Sequence, residues 1–154
     1  MKWLNKWGFL INEKDNTGMT PMHWAALLGH LDVVKWLYRE ADAIKEDNNG
    51  RTPMRCAAEG GHPNVMEFLK KKGVDINWKD INGRGLMHYA AAVGHLRSVK
   101  WLNRKGVNFT EKDLTGKTCM HWAAFYGHLK VMKYLERKWV DINAKDANGQ
   151  TPMC

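Results

Sequence analysis

The sequence predicts an all-α fold, a solenoid of stacked helix-turn-helix units with projecting turns, and three markers on one period predict it. The pentads Met22–Ala26 (MHWAA), Met54–Ala58 (MRCAA), Met87–Ala91 (MHYAA) and Met120–Ala124 (MHWAA) follow at steps of 32, 33 and 33 residues. Asp15, Asp47, Asp80, Asp113 and Asp146 keep the same step, each three residues before a glycine. Trp3, Trp36, Phe68, Trp101 and Tyr134 form a third series, each followed by leucine. The period cuts a single array over 1–154 into a partial repeat (1–14), repeats at 15–46, 47–79, 80–112 and 113–145, and the start of another at 146–154.

One unit shows why each element forms. In DNTG (Asp15–Gly18), Asp and Asn bond their own backbone and Gly accepts positive φ, which is turn chemistry. Thr20 then offers an N-cap hydroxyl, and Pro21 takes the first helical position, where its missing N–H costs nothing. MHWAALL is a short first helix that Gly29 stops in a left-handed C-cap. HLDVVKWLYRE is a second helix, with Leu31, Val34 and Leu37 on one stripe and Asp32, Lys35 and Arg39 on the other. Pro63 falls near the start of the second helix of the next unit, where proline is tolerated. Neither helix can bury its apolar face alone. The pairs Ala25-Ala26, Ala57-Ala58, Ala90-Ala91 and Ala123-Ala124 let neighbouring first helices approach, so stacking completes the core.

On these residues the chain resembles the ankyrin-repeat family, whose first helix opens on T-P-L-H-x-A. Here the motif reads TPMHWA, TPMRCA, GLMHYA and TCMHWA, with GHLDVVKWL and VDIN also similar to the family. The resemblance implies that the motif histidine braces its unit through backbone and threonine, a pairing kept by Thr20/His23 and Thr118/His121. Departures are Gly85-Leu86 for Thr-Pro, Arg55 for the histidine, Cys119 for proline, Trp139 for a helix-ending glycine, and a unit one residue short around Ala41. Losing the threonine cap at Gly85 is expected to cost about 1 kcal/mol. Both ends fall inside a repeat, so the sequence reads as a segment of a longer array.

Composition excludes several classes. No apolar run is long enough to span a membrane, and the N-terminus lacks a signal-peptide pattern. Cys56, Cys119 and Cys154 are odd in number and show no CxxC spacing, so a reducing compartment, cytoplasmic or nuclear, is expected. The seven histidines lie one or two to a unit without a ligand partner at metal spacing, so no metal and no cofactor is expected. Ser98, the single serine, is placed on a polar helix face, and Asn82–Gly85 (NGRG) lacks the lysine and strand of a phosphate loop. No catalytic residue is assigned, and the chain is not read as an enzyme. The aromatic series in the second helices is read as a ladder of rings between units.

The resemblance places recognition on the turn tips and the exposed face of the first helices, the concave side. At those positions stand Met19, Trp24, Leu27, Arg51, Arg84, Tyr89, Val93, Lys117, Trp122 and Phe125, the expected contacts for a partner protein or peptide. Leu28 and Tyr126 are equally compatible with surface and core. Aromatics and arginine at an exposed face suit hot spots. The family pattern also makes Asn143, in LERKWVDINA, and less fully Asn77 candidates for asparaginyl hydroxylation. Basic charge concentrates elsewhere: the second helices and their ends hold 15 of the 24 Lys and Arg residues but 4 of the 16 Asp and Glu. A groove built for phosphate would have the reverse distribution, so nucleic acid is not the expected partner. The chain is therefore read as a monomeric protein-interaction module. The alternatives are contact with nucleic acid or anionic lipid through the basic back, or a spacer within a larger scaffold or channel.

Overall fold

Helix pairs build the fold, and a computed structural model describes them over residues 11–40, 44–138 and 140–153. The first ten residues with Trp3, the shortening at Ala41, Trp139 and Cys154 lie outside the described residues. Two compact units divide the chain, Met1–Val74 and Asp75–Cys154. In the first, α1 (Pro21–Leu28) and α2 (Leu31–Glu40) form one pair, and α3 (Pro53–Gly60) and α4 (Pro63–Lys71) the next. In the second, α5 (Leu86–Ala92) pairs with α6 (Leu96–Arg104), and α7 (Cys119–Phe125) with α8 (Leu129–Glu136). Among the described residues, β pairing amounts to an isolated bridge between Lys79 and Gly85. The fold is all-α, as the repeat predicts.

The first helices start where the sequence sets a cap. His23 Nδ1 accepts the Thr20 N–H at 3.1 Å and lies 2.9 Å from Thr20 Oγ1. A backbone N–H can only donate, so Nδ1 is the acceptor and Nε2 carries the ring proton. Nε2 then donates to the Arg51 carbonyl at 2.9 Å, tying one unit to the turn of the next. His121 does the same with Thr118 at 3.1 and 2.9 Å and with the Gln150 carbonyl at 3.2 Å. Burial pushes the pKa of His23 down and keeps this neutral tautomer. Where Gly85 replaces threonine, its N–H still donates to His88 Nδ1 at 3.1 Å, and His88 Nε2 reaches the Glu111 carbonyl at 3.2 Å. The loss in that unit is thus confined to the hydroxyl. In the unit where Arg55 takes the histidine position, its N–H bonds Thr52 Oγ1 at 3.1 Å and its Nε bonds Glu59 at 2.9 Å.

Packing follows the same register. Met22, Met54, Met87 and Met120 are buried in the first helices, and Leu37, Leu69, Leu102 and Leu135 in the second. Each such side chain contributes about 1.5–3 kcal/mol of burial. Within the first unit α1 packs on α3, and within the second α5 packs on α7. The first contact is close: a Cβ on Gly60 would lie 2.0 Å from the Leu27 carbonyl oxygen.

Two expectations are corrected here. Ser98 is not on a polar face. It occupies the row of Val65 and Val131, is fully buried, and its Oγ has no hydrogen-bond partner. In the aromatic series Trp101 is buried, but Trp36 is exposed, and Phe68 meets Tyr38 edge-on at 5.7 Å rather than Trp36. The ladder of successive series members therefore fails in the first unit, because Tyr38 lies on the edge of α2 that faces α4.

Candidate functional site

The turns are organised by their aspartates. Asp113 Oδ1 accepts the N–H groups of Thr115 at 2.8 Å and Lys117 at 3.0 Å, and the Thr115 hydroxyl at 2.6 Å. Its second oxygen, Oδ2, accepts Trp122 Nε1–H at 2.9 Å from α7. Asp15 repeats the arrangement with Thr17, Met19 and, at 2.9 Å, Trp24 Nε1. Asp80 holds the amides of Asn82 and Arg84 at 2.9 Å and takes the Tyr89 hydroxyl on Oδ2. Where Cys56 replaces the aromatic, Asp47 Oδ2 takes Arg51 Nε instead, at 2.6 Å. Asp15, Asp80 and Asp113 thus tie their turns to an aromatic side chain of the following first helix.

These bonds set the charge states. The Thr17 hydroxyl and the Trp24 indole pull the Asp15 carboxyl down to about 2. Burial works against ionisation of Asp113, but the Thr115 hydroxyl, the Lys117 amide and the Trp122 indole outweigh it and lower its pKa. Asp80 is lowered in the same way, burial being outweighed by the Tyr89 hydroxyl and by Arg84.

In the second unit the clamps assemble a cluster. The Arg84 guanidinium pairs with Asp80 at 2.8 Å and stands 5.2 Å from the Tyr89 ring centroid and 5.8 Å from that of Trp122. Lys117 Nζ lies 5.5 Å from the Trp122 ring. Tyr126 stacks on Trp122 at 6.2 Å and 16°, and Phe125 meets Tyr126 edge-on at 4.9 Å. Phe125 is 75% exposed and Tyr126 54%, so this aromatic floor faces water. Beside it a cleft of about 360 Å³ is lined by Lys117, Phe125, Asp146 and Pro152. Asp146 Oδ2 is buried there without a hydrogen-bond partner. The Gln150 amide is the main cause of its lowered pKa, and Lys117 adds to it.

The predicted contact residues divide accordingly. Arg84, Tyr89, Lys117, Trp122 and Phe125 are brought together, and Val93 is exposed at the end of α5. In the first unit Trp24 is exposed, while Leu27 and Arg51 are half-buried. Met19 is a correction: it is buried, its N–H held by Asp15 and its apolar chain withdrawn from water. Tyr89 is another. It is 8% exposed, with Trp78 lying 6.4 Å from its ring on one side and Arg84 beside it. Tyr89 supports the surface rather than forming it, and Tyr126 joins the exposed set. The link between an aspartate and an aromatic nine residues on, at 15/24, 80/89 and 113/122, is the sequence signal that went unread.

Cys56 and Cys119 are buried thiols, pushed by burial up to about 12. Among the described residues no three His, Cys, Asp or Glu side chains converge where a metal could bind. Asn77 and Asn143 are exposed, each donating its N–H to the aspartate two positions before at 2.8 Å. No helix among the described residues is long and apolar enough to cross a membrane.

Helix pairs joined by clamped turns recur along the chain as repeat units. The chain belongs to the ankyrin-repeat family: the profile for ankyrin repeats in three copies matches residues 2–80 and 86–154, and that for ankyrin repeats in many copies matches 65–103. A search of curated proteins finds no match. Ankyrin repeats are in general protein–protein interaction modules.

Proposed function

We propose that this chain binds a partner protein or peptide on the face formed by its turns and first helices, without catalysis of its own. The exposed rings of Phe125 and Tyr126, packed against the half-buried Trp122, carry this reading. Held in mutual contact, they lose little side-chain freedom when a partner covers them, which favours affinity. Arg84 and Lys117 border the rings with positive charge, and the buried acceptor Asp146 Oδ2 beside Phe125 supplies a polar anchor for a donor on the partner. Within the first unit, Trp24, Leu27 and Arg51 hold the corresponding repeat positions.

The reading is tested by selecting peptides from a random library on the wild-type chain and mapping the tightest by NMR. Shifts at the indole N–H of Trp122 and at the amides of Phe125 and Tyr126 are expected. Selected peptides that shift only residues of α2, α4, α6 and α8 would overturn it.

A further inference from the structure

The opposite face of the first unit holds a different feature. A cleft of about 410 Å³ between α2 and α4 is lined by Asp32, Lys35, Tyr38, Arg39, Phe68 and Lys72. Tyr38 and Phe68 meet edge-on at 5.7 Å and make a rigid wall. Lys72, the C-cap that follows α4, sits with its ammonium 5.3 Å from the Tyr38 ring and 5.6 Å from the Phe68 ring. Lys35 and Arg39 lie one turn apart on α2 and line the same cleft. Asp32 is the single lining carboxylate, and it meets Lys35 only at 3.9 Å with its side chain fully exposed. Among the described residues Arg39 and Lys72 form no ion pair.

We propose that this cleft binds a phosphate monoester group. Three cations facing one exposed carboxylate leave an excess of positive charge that a dianion neutralises better than a single carboxylate. Arg39 brings a planar fork that matches two phosphate oxygens. Lys72 is a point charge already positioned by the rings, so it loses little freedom on binding. The rings limit water on one side of the cleft and strengthen these contacts. The volume holds a phosphate with a ring-sized substituent, which fits a soluble phosphate ester and a phosphorylated lipid headgroup alike.

The test uses the full chain and isothermal titration calorimetry at fixed ionic strength, with inorganic phosphate and inositol hexakisphosphate as probes. Arg39→Gln and Lys72→Gln are compared with Lys71→Gln, which removes the same charge from an exposed residue outside the cleft. Saturable binding is expected, weakened about tenfold or more by each cleft variant and kept by Lys71→Gln. Circular dichroism checks that all three variants fold. Sedimentation with phosphatidylcholine vesicles carrying either phosphatidic acid, a monoester, or phosphatidylserine, a diester, separates the sources. Recruitment by phosphatidic acid alone with the same variant pattern assigns a lipid headgroup; binding of soluble probes without recruitment assigns a free ligand. No saturable binding to any phosphate probe overturns the proposal. So does equal weakening by all three variants, with single-stranded RNA binding following the same equal pattern, which would describe a diffuse cationic face.

Discussion

Replacing Asp113 by asparagine separates the two jobs of the turn clamp. Asparagine keeps one oxygen for the amides of Thr115 and Lys117, but its NH₂ now faces the indole N–H of Trp122, which the carboxylate held at 2.9 Å. A hydrogen bond to a charged acceptor is lost and two donors are opposed, at a site where Asp113 is 6% exposed. Loss of such a bond costs about 2 kcal/mol. With a urea slope of about 1–3 kcal/mol per molar, the unfolding midpoint should fall by about 1 M. The partner change, Trp122→Phe, removes the indole N–H and leaves nothing for asparagine to oppose. In the double variant Asp113→Asn should therefore cost less than it does alone, giving a coupling of about 1–2 kcal/mol. Urea unfolding followed by far-ultraviolet circular dichroism on the four proteins measures it. A coupling within about 0.3 kcal/mol of zero would refute the tether between turn and first helix.

Three further outcomes follow from the same geometry. His23 and His88 have pKa values lowered from 6.5 by burial, so the unfolded chain takes up protons that the fold refuses; stability is full above pH 6.5 and falls below it. A second loss comes as Asp15 and its counterparts protonate, from 3.8 down to about 2 for Asp15. Urea titrations across pH that stay flat down to about pH 5 would contradict the histidine assignment. Ser98→Ala should stabilise the chain by about 1 kcal/mol, since it removes a buried hydroxyl that bonds nothing; a loss of stability on denaturation would show an unseen partner. Trp101→Ala should cost about 3–5 kcal/mol, whereas Trp36→Ala, at an exposed ring, should cost less than about 1 kcal/mol, as thermal melts can compare.

The fold was legible because its determinants are local and recur. Thr-Pro caps, turn glycines and the aligned methionines and leucines each act within a few residues, and repetition turns weak propensities into a register. Ser98 shows the register outranking polarity: its alignment with Val65 and Val131 marks a core position that the hydroxyl disguised. Met19 and Tyr89 were misread for another reason. Both occupy positions that project in an idealised unit, but Met19 is drawn in by the Asp15 clamp, and Tyr89 is covered by Trp78 from the preceding loop. The phosphate cleft was invisible because Arg39 and Lys72 come from different repeats, and only the packing of α2 on α4 brings them to Tyr38 and Phe68.

The proposed recognition through the aromatic floor turns on Phe125, whose ring is exposed at the last position of α7. The affinity of a library-selected peptide should be measured by fluorescence anisotropy for the wild type, for Phe125→Ala and for Arg97→Ala on the second-helix side. Truncating a hot-spot ring costs about 2 kcal/mol, so Phe125→Ala should raise Kd roughly thirtyfold while its melting temperature stays close to that of the wild type. Arg97→Ala should bind as the wild type does. Equal affinity for Phe125→Ala and the wild type, or a thirtyfold loss that appears with Arg97→Ala instead, would contradict recognition through this face.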